Sequence, residues 1–368
     1  MTNCLRLLLC GDVMTGRGID QIMPKSVDPI LFEPVVQSAK EYVTLAERRH
    51  GSIPRNVEPD YIWGNALPLM GAMASDVSIA NLETAVTTSD DRQLKGINYR
   101  MHPANVACLQ TAHLDVCTLA NNHVLDWGKD GLLETLKVLR GAEIKTTGAG
   151  IHLKDATTPA VVPVGERRVL VFAGGHTDSG IDPRWEATAR DPGVHLLRDF
   201  SSRTLDGIAL AVKSLRRDDD VVVYSVHWGD NWGYDVPEEH RAFAHALIDD
   251  AGVDLVFGHS SHHPKGIEVY RNKLILYGCG DLINDYEGIS GYEAFRPDLR
   301  GMYFPMLDYR GELERLDMAI LKARGFALHQ PAAGDVDWLG DRLAEVSRES
   351  VVGIRSRGAN LLELRKPP

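Results

Sequence analysis

Short apolar runs recur along the chain, and small or polar residues follow each of them. Continuous apolar runs of this length are typical of strands that are buried on both faces. The runs predicted as strands are 5–9, 77–80, 116–120, 169–173, 221–226, 253–257 and 274–277. Apolar stripes with helical spacing lie between several of them, at 131–139 and 240–247. Strands that alternate with helices predict an α/β protein.

The polar residues that follow these strands are of types that bind metals or move protons. In layered α/β proteins, ligands bind at the carboxyl ends of the strands. Six strand ends with such residues therefore predict one shared site at an edge of the sheets. These residues are Asp12, Glu83, Asn121-Asn122-His123, His227, His259 and Asp281.

Two segments depart from this pattern. Residues 24–66 are polar and rich in proline, and we interpret them as an irregular excursion inserted over the site. Residues 301–368 form a predicted C-terminal extension, which alternates weakly and then becomes helical from 336 to 352. No internal repeat is evident, so residues 1–368 are predicted to form one domain.

Composition limits the classes of binding partner and the cellular compartment that we expect. A formal net charge of -11 argues against non-specific binding of nucleic acids or anionic membranes. The five cysteines form no CxxC pair and leave one over if paired, which favours a reducing compartment. No apolar stretch is long enough to span a bilayer. We therefore expect a cytoplasmic protein without a membrane or nucleic-acid partner.

The histidines are the strongest candidates for chemistry. Asp126 follows His123 by three residues, so its carboxylate can orient the imidazole and raise its basicity. His259, His262 and His263 lie in one short segment, a density typical of metal ligands or proton carriers. Taken alone, each candidate also has a structural interpretation. For example, Asp12 suits a turn and His227 a buried core position, while an Asn-rich turn with a surface histidine suits residues 121–123.

Four further residues are candidates for substrate binding. Arg17 and Arg100 carry guanidinium groups that suit a carboxylate or a phosphate. Trp228 and Trp232 follow the strand that ends at His227, where aromatic rings suit a substrate platform. Surface ion pairs for the arginines and loop packing for the tryptophans are the alternatives.

Five ordered motifs resemble the capsule-biosynthesis CapA family, a branch of the calcineurin-like metallophosphoesterase superfamily. The similarity covers residues from about 5 to about 287. It implies an α-β-β-α sandwich with a metal site at the carboxyl ends of the strands. The motifs are GDVMTGRG, NLETAVT, LANNHVLDWGKDGLLETL, VHWGDNW and GVDLVFGHSSHHPKGIEVYRNKLILYGCGD.

The chain departs from the superfamily pattern at its first motif, where Asp12 is followed by Val13 and Met14 and one imidazole is missing. This loss makes one divalent cation a better expectation than two. The donors are mixed oxygen and nitrogen atoms, so Ca²⁺, Mg²⁺, Mn²⁺ and Zn²⁺ all stay open. No lysine motif for pyridoxal phosphate is apparent. The expected ligands are Asp12, Glu83, Asn122, His227 and His259.

Three functions follow from the resemblance and the residues. The first is epimerisation at the Cα of the C-terminal residue of a ribosomal lasso-peptide precursor, by histidine–aspartate pairs near the cation. The second is hydrolysis of phosphoesters, and the third is a role in capsule or poly-γ-glutamate synthesis. We favour the first, with a peptide as substrate. Its expected catalytic residues are His123, Asp126, His259, His262 and Asp12.

Overall fold

The computed structural model describes residues 4–348, 353–358 and 360–365. Its strands are β1 (Leu5–Val13), β2 (Val77–Leu82), β3 (Ala85–Val86), β4 (Arg100–Met101), β5 (Val116–Thr118), β6 (Lys145–Thr147), β7 (Ala149–Gly150), β8 (Ala160–Val164), β9 (Arg167–His176), β10 (Gly193–Val194), β11 (Leu196–Leu197), β12 (Val221–His227), β13 (Leu255–His259), β14 (Ile267–Tyr270), β15 (Lys273–Leu276), β16 (Asp281–Ile283), β17 (Leu299–Leu307), β18 (Leu313–Arg324), β19 (Ala327–His329), β20 (Gly353–Ser356) and β21 (Leu361–Arg365).

The α-helices lie mainly between these strands. None in the described part of the chain is long and apolar enough to cross a membrane. They are α1 (Ala39–His50), α2 (Ala66–Met73), α3 (Ala107–Thr111), α4 (Gly128–Gly141), α5 (Leu153–Thr157), α6 (Ser202–Leu215), α7 (Glu238–Asp249) and α8 (Ala333–Val346).

Two large sheets contain most of the strands. The first sheet has the order β20-β21-β18-β17-β1-β2-β5-β6, with β16 also paired to β1 and β19 to β18. The second has the order β11-β9-β12-β13-β15-β14, with β8 paired to β9. The neighbours β1, β2, β5 and β6 are parallel, as are β9, β12, β13 and β15. Parallel strands end at one edge of a sheet, so each sheet gathers several carboxyl ends.

Alternation along the strands explains how the layers pack. Leu7 and Leu9 of β1 join one core cluster with Val223 and Phe257 of the second sheet. Leu8 and its neighbours on the opposite face of the first sheet pack against α1, α3 and α4. The outer face of the second sheet packs in the same way against α6 and α7. Because successive side chains point to opposite faces, each sheet is covered on both sides. The predicted α-β-β-α sandwich is confirmed.

All seven predicted strands are present, although β5 ends two residues early, at Thr118. The predicted helix at 336–352 is α8, which ends at Val346, and residues 349–352 lie outside the described residues. The excursion at 24–66 is not irregular throughout. It contains α1, because Tyr42, Val43 and Ala46 form a buried stripe at helical spacing. Within the segment 301–368, β17 pairs directly with β1, so this segment is integral to the first sheet.

Hydrogen bonds to Asp20 connect the start of the excursion with residues 102–105. The Asp20 carboxylate is fully buried and accepts hydrogen bonds from the backbone N–H groups of Val27 (2.8 Å) and His102 (2.8 Å). The Asn105 amide donates a third bond at 2.9 Å. Burial raises the pKa of Asp20 to about 6, although these donors lower it. Three donors from two separate segments therefore depend on one buried acceptor.

We expect Asp20→Ala to lower the free energy of unfolding by roughly 2–4 kcal/mol, because it leaves buried donors without an acceptor. A carboxyl group whose pKa is raised on folding stabilises the folded state. For Asp20 this contribution is fully present below its pKa in the unfolded chain, and it is lost as pH rises through about 6. The difference between wild type and variant should therefore be larger at pH 4.5 than at pH 7. Denaturant unfolding at both pH values measures it.

Asp28→Ala is the matched control, because Asp28 is exposed and accepts only a local bond from the Ile30 N–H. Its unfolding free energy should stay within about 0.5 kcal/mol of wild type. Equal losses in the two variants would contradict the anchoring role of Asp20.

Candidate metal centre

Strand register brings the predicted site residues together. Asp12 lies opposite both Asn81 of β2 and Asp281 of β16 in the first sheet. His227 lies opposite His259 on the neighbouring strands β12 and β13 of the second sheet. Side chains at paired positions of adjacent strands lie close together. Each sheet therefore contributes a compact group of donors at its carboxyl edge.

The two groups meet at Asp12. A Cβ at Gly11 would lie 1.8 Å from the Gly280 carbonyl oxygen, so only glycine allows this close approach of the two segments. Asp12 N–H donates to that same oxygen at 3.1 Å. From the second sheet, the Ser260 N–H donates to Asp12 Oδ2 at 3.2 Å. Ser260 has φ of 101°, a strained conformation of the kind found at functional sites.

Two sets of three donors suit a cation, and they share Asp12. The first set is Asp12, His227 and His259, and the second is Asp12, His262 and Asp281. In the first set, the Nδ1 atoms of His227 and His259 lie 2.8 Å apart, and His259 Nδ1 lies 3.8 Å from Asp12 Oδ1. In the second, His262 Nδ1 lies 2.9 Å from Asp281 Oδ1. The expectation of a single cation stays a prediction.

Hydrogen bonding prepares His259 to bind a cation. Its Nε2 lies 2.6 Å from Ser225 Oγ, and the Ser225 hydroxyl donates to Thr118 Oγ1 at 3.2 Å. Because the Ser225 hydroxyl proton points to Thr118, the Ser225 oxygen accepts a hydrogen bond from the His259 imidazole. The His259 proton therefore lies on Nε2. The lone pair then lies on Nδ1, the nitrogen that faces Asp12 and His227. Such outer hydrogen bonds are typical of metal-binding histidines.

Electrostatics also favour a cation here. Burial, together with the charge of Asp281, raises the pKa of Asp12 to about 7. Burial and the Asp12 charge raise the pKa of Glu83 well above its usual value. His227 Nε2 and Asn122 Oδ1 are buried without a hydrogen-bond partner. Buried carboxylates that repel one another, beside unpartnered nitrogen and oxygen acceptors, fit a divalent cation.

His123 lies at the edge of this cluster as half of an imidazole–carboxylate pair. Its Nδ1 lies 2.6 Å from Asp126 Oδ2, and its Nε2 lies 3.8 Å from Glu83 Oε1. Burial lowers the pKa of His123 to about 4, in spite of the Asp126 charge. Lys95 Nζ lies 2.7 Å from Asp126 Oδ1 and 3.3 Å from His123 Nδ1. The pair predicted from sequence is present, with a lysine added.

The predicted substrate residues have different surroundings. Arg17 lines a cavity beside His262, but its guanidinium already binds Asp285 (2.6 Å) and Glu33 (2.9 Å). Trp232 lines the same cavity. Arg100 and Trp228 do not line this cavity. Arg100 binds Asp90 and stacks on Trp127, whereas Trp228 is buried and stacks on His240.

Several residues that organise the site lie outside the predicted ligand and catalytic sets. Asn81 donates to Asp12 at 2.7 Å, and Asn121 donates to Asn81 at 3.0 Å. Both lie at strand ends, so the strand pattern that located Glu83 and Asn122 contains their signal. Ser225 precedes His227 by two residues and points to the same face of β12. Lys95 lies in an irregular segment where the sequence offers no signal.

Two packed sheets, helices on both outer faces and a carboxylate–imidazole cluster at the strand ends define the calcineurin-like class of α/β proteins. The family described as bacterial capsule synthesis protein PGA_cap matches residues 6–286. The chain belongs to this family, which agrees with the predicted CapA resemblance.

Relatives cover most of the chain. A probable polyglutamine synthesis accessory protein of Mycobacterium tuberculosis is 45% identical over 362 residues, which cover 97% of this chain and 95% of the relative. The capsule biosynthesis protein CapA of Bacillus anthracis is 26% identical, over 76% of this chain and 60% of its own length. The PGA biosynthesis protein CapA of Bacillus subtilis is 31% identical, over 58% and 54% respectively.

We expect the purified protein to retain at least one divalent cation per chain after extensive dialysis without chelator. Asp12→Asn should remove it, because Asp12 belongs to both donor sets. His259→Ala and His262→Ala each remove one set and show which of them holds the ion. Elemental analysis measures the content. Sub-stoichiometric levels of every divalent metal in the wild type would contradict the site.

A second prediction concerns Ser225, which touches the cluster only through His259. Ser225→Ala should weaken binding of Mn²⁺ or Zn²⁺ by about 10–100-fold, because it frees the imidazole to change tautomer and orientation. Competition with a chromophoric chelator measures the dissociation constant. Ser78→Ala is the control, since this buried serine of β2 pairs with Ser75. Equal affinities in the two variants would contradict the role of Ser225.

Proposed function

We propose that the protein is a metal-dependent acid–base enzyme that acts in the synthesis of an amino-acid polymer. The observation that carries this proposal is the convergence of two donor sets on Asp12, with the His123–Asp126 pair beside them. A cluster of buried titratable groups with strongly shifted pKa values is typical of an active site. Packing alone gives no reason to collect several carboxylates and imidazoles at one buried position.

The relatives support the choice of polymer synthesis over the other functions. Their names refer to polyglutamine synthesis, capsule biosynthesis and PGA biosynthesis. The relative from M. tuberculosis matches along nearly its whole length, so its named role is a reasonable guide. We infer a polymer of glutamine or glutamate, such as poly-γ-glutamate, as the product of the system in which this chain acts.

The residues have separable roles in this proposal. The two donor sets would hold a divalent cation, which would supply Lewis-acid activation of a substrate carbonyl or of water. His123 transfers the proton, because its Nε2 faces Glu83 and the cluster while Nδ1 is held by Asp126. Lys95 neutralises Asp126 and fixes the position of that carboxylate. A low pKa for His123 keeps its imidazole neutral near pH 7, which suits a base.

Epimerisation of a peptide Cα is a second candidate, which a specific observation supports. Inversion at Cα uses one group to remove a proton and another to return it on the opposite face. The structure contains two imidazole–carboxylate pairs, His123 with Asp126 and His262 with Asp281. Asp281 raises the pKa of His262 in spite of its burial, whereas the pKa of His123 is low. Such a difference suits one acid and one base.

We expect the metal-loaded protein to change the chain length of poly-γ-glutamate, and His123→Ala to reduce this rate by about 10²–10⁴-fold. The loss follows from removal of the proton-transferring group, so metal content should stay at the wild-type level. Size-exclusion chromatography of the polymer measures the rate. His329→Ala is the control, since this histidine is exposed on β19.

Two further assays separate the alternatives. Incubation of a lasso-precursor peptide in D₂O gives one incorporated deuterium without bond cleavage if the protein is an epimerase. Turnover of a generic phosphodiester at a kcat/KM of about 10⁴ M⁻¹s⁻¹ or more would instead establish a phosphoesterase. An unchanged polymer, together with activity in either of these assays, would refute the polymer proposal.

A further inference from the structure

A cavity of about 190 Å³ opens beside His262, and aromatic rings form much of its wall. Trp232 stacks on Tyr292 with ring centroids 4.0 Å apart, and its ring lies 5.3 Å from the His262 ring. Tyr286 meets His262 edge-on at 5.0 Å. The further members of the wall are Arg17, Tyr42, Ile97, Asn231, Ile289 and Pro297.

The charged group of this wall is already engaged within the protein. Arg17 binds Asp285 and Glu33, and also donates to the Tyr42 hydroxyl at 3.0 Å. Tyr42 in turn donates to Glu33. Because its donors are used and its charge is compensated, Arg17 has little to offer a carboxylate ligand. The cavity therefore presents aromatic and aliphatic groups and the exposed side chain of Asn231, with His262 as its reactive member.

The wall is assembled from six separate segments of the chain. Ile97 comes from the segment that also carries Lys95, and Trp232 follows β12. Tyr286 and Tyr292 follow β16, while Tyr42 belongs to α1 in the excursion. Ile97 and Tyr292 are 39% and 37% exposed, so apolar surface lies open at this cavity. Large apolar side chains that stay accessible beside a reactive group are typical of a ligand site.

We propose that this cavity binds an aromatic side chain of a peptide ligand and so places the adjoining main chain at His262. A ring can pack against the accessible edges and faces of these aromatic side chains and needs no charged partner from the wall. A cavity of this size takes a single aromatic side chain. A sugar ring requires several free hydrogen-bonding groups, whereas the exposed Asn231 side chain is a single amide. A glutamate side chain requires a cation that is not already compensated, so both fit the wall less well than an aromatic ring.

This inference goes beyond the proposed function, because a homopolymer of glutamine or glutamate has no aromatic side chain. It adds a recognition element to the site, for an end group or a peptide of mixed composition. It shares only His262 with the metal centre. Failure of the metal site and failure of the cavity are therefore distinguishable by separate measurements of metal content and ligand binding.

Isothermal titration calorimetry of the full, metal-loaded chain tests the proposal with three probes. We expect N-acetyl-L-phenylalaninamide to bind at least tenfold more tightly than N-acetyl-L-glutaminamide or methyl β-D-glucoside. Trp232→Ala should weaken the phenylalanine probe by about tenfold through loss of ring contact, and Trp232→Phe should restore most of the affinity. Metal content should be unchanged in both variants.

Tyr309→Ala provides the control, since this tyrosine is 49% exposed and lies in the turn between β17 and β18. It should leave the affinity of the phenylalanine probe unchanged. Equal affinities for the three probes, a preference for the glutamine or sugar probe, or no detectable binding of the phenylalanine probe would overturn the proposal. Full affinity in Trp232→Ala would overturn it as well.

Discussion

The buried carboxylate of Asp12 is the constraint on which the rest of the site depends. It lies where the two sheets meet, accepting bonds from Asn81 of the first sheet and from the Ser260 N–H that follows the second. A buried charge is tolerated only when hydrogen bonds or opposite charges compensate it. The ends of β1, β2 and β13 are therefore fixed relative to one another, and the imidazoles acquire their positions through them.

The hydrogen bonds around Asp12 do not remove the excess negative charge. Asp12, Glu83 and Asp281 are all buried, and the pKa values of Asp12 and Glu83 are raised. The nearby Lys95 is committed to Asp126, and Arg300 donates to Asn284. A divalent cation would offset this charge, and its binding would stabilise the folded state.

Much of this arrangement was predictable, because strand ends carry their signal in the sequence. Asp12, His227 and His259 each terminate an apolar run, and parallel strands bring such ends to one edge. Helix α1 was missed, since proline-rich flanks hide its short apolar stripe. Lys95 and Ser225 were missed for different reasons. The position of Lys95 depends on the path of an irregular loop, while a serine within an apolar strand resembles an ordinary buried hydroxyl.

Strand-end donors and loop residues are held in place in different ways. Donors at strand ends are held by the hydrogen-bonded register of the sheets, which leaves them little freedom. Lys95, Trp232 and Tyr292 lie instead on irregular segments, where side chains contact the reacting groups without altering the sheets. Loops tolerate sequence change better than the strands they connect. In the proposed function, the metal centre therefore fixes the kind of chemistry, while the loop residues around His123 and His262 select the molecule that undergoes it.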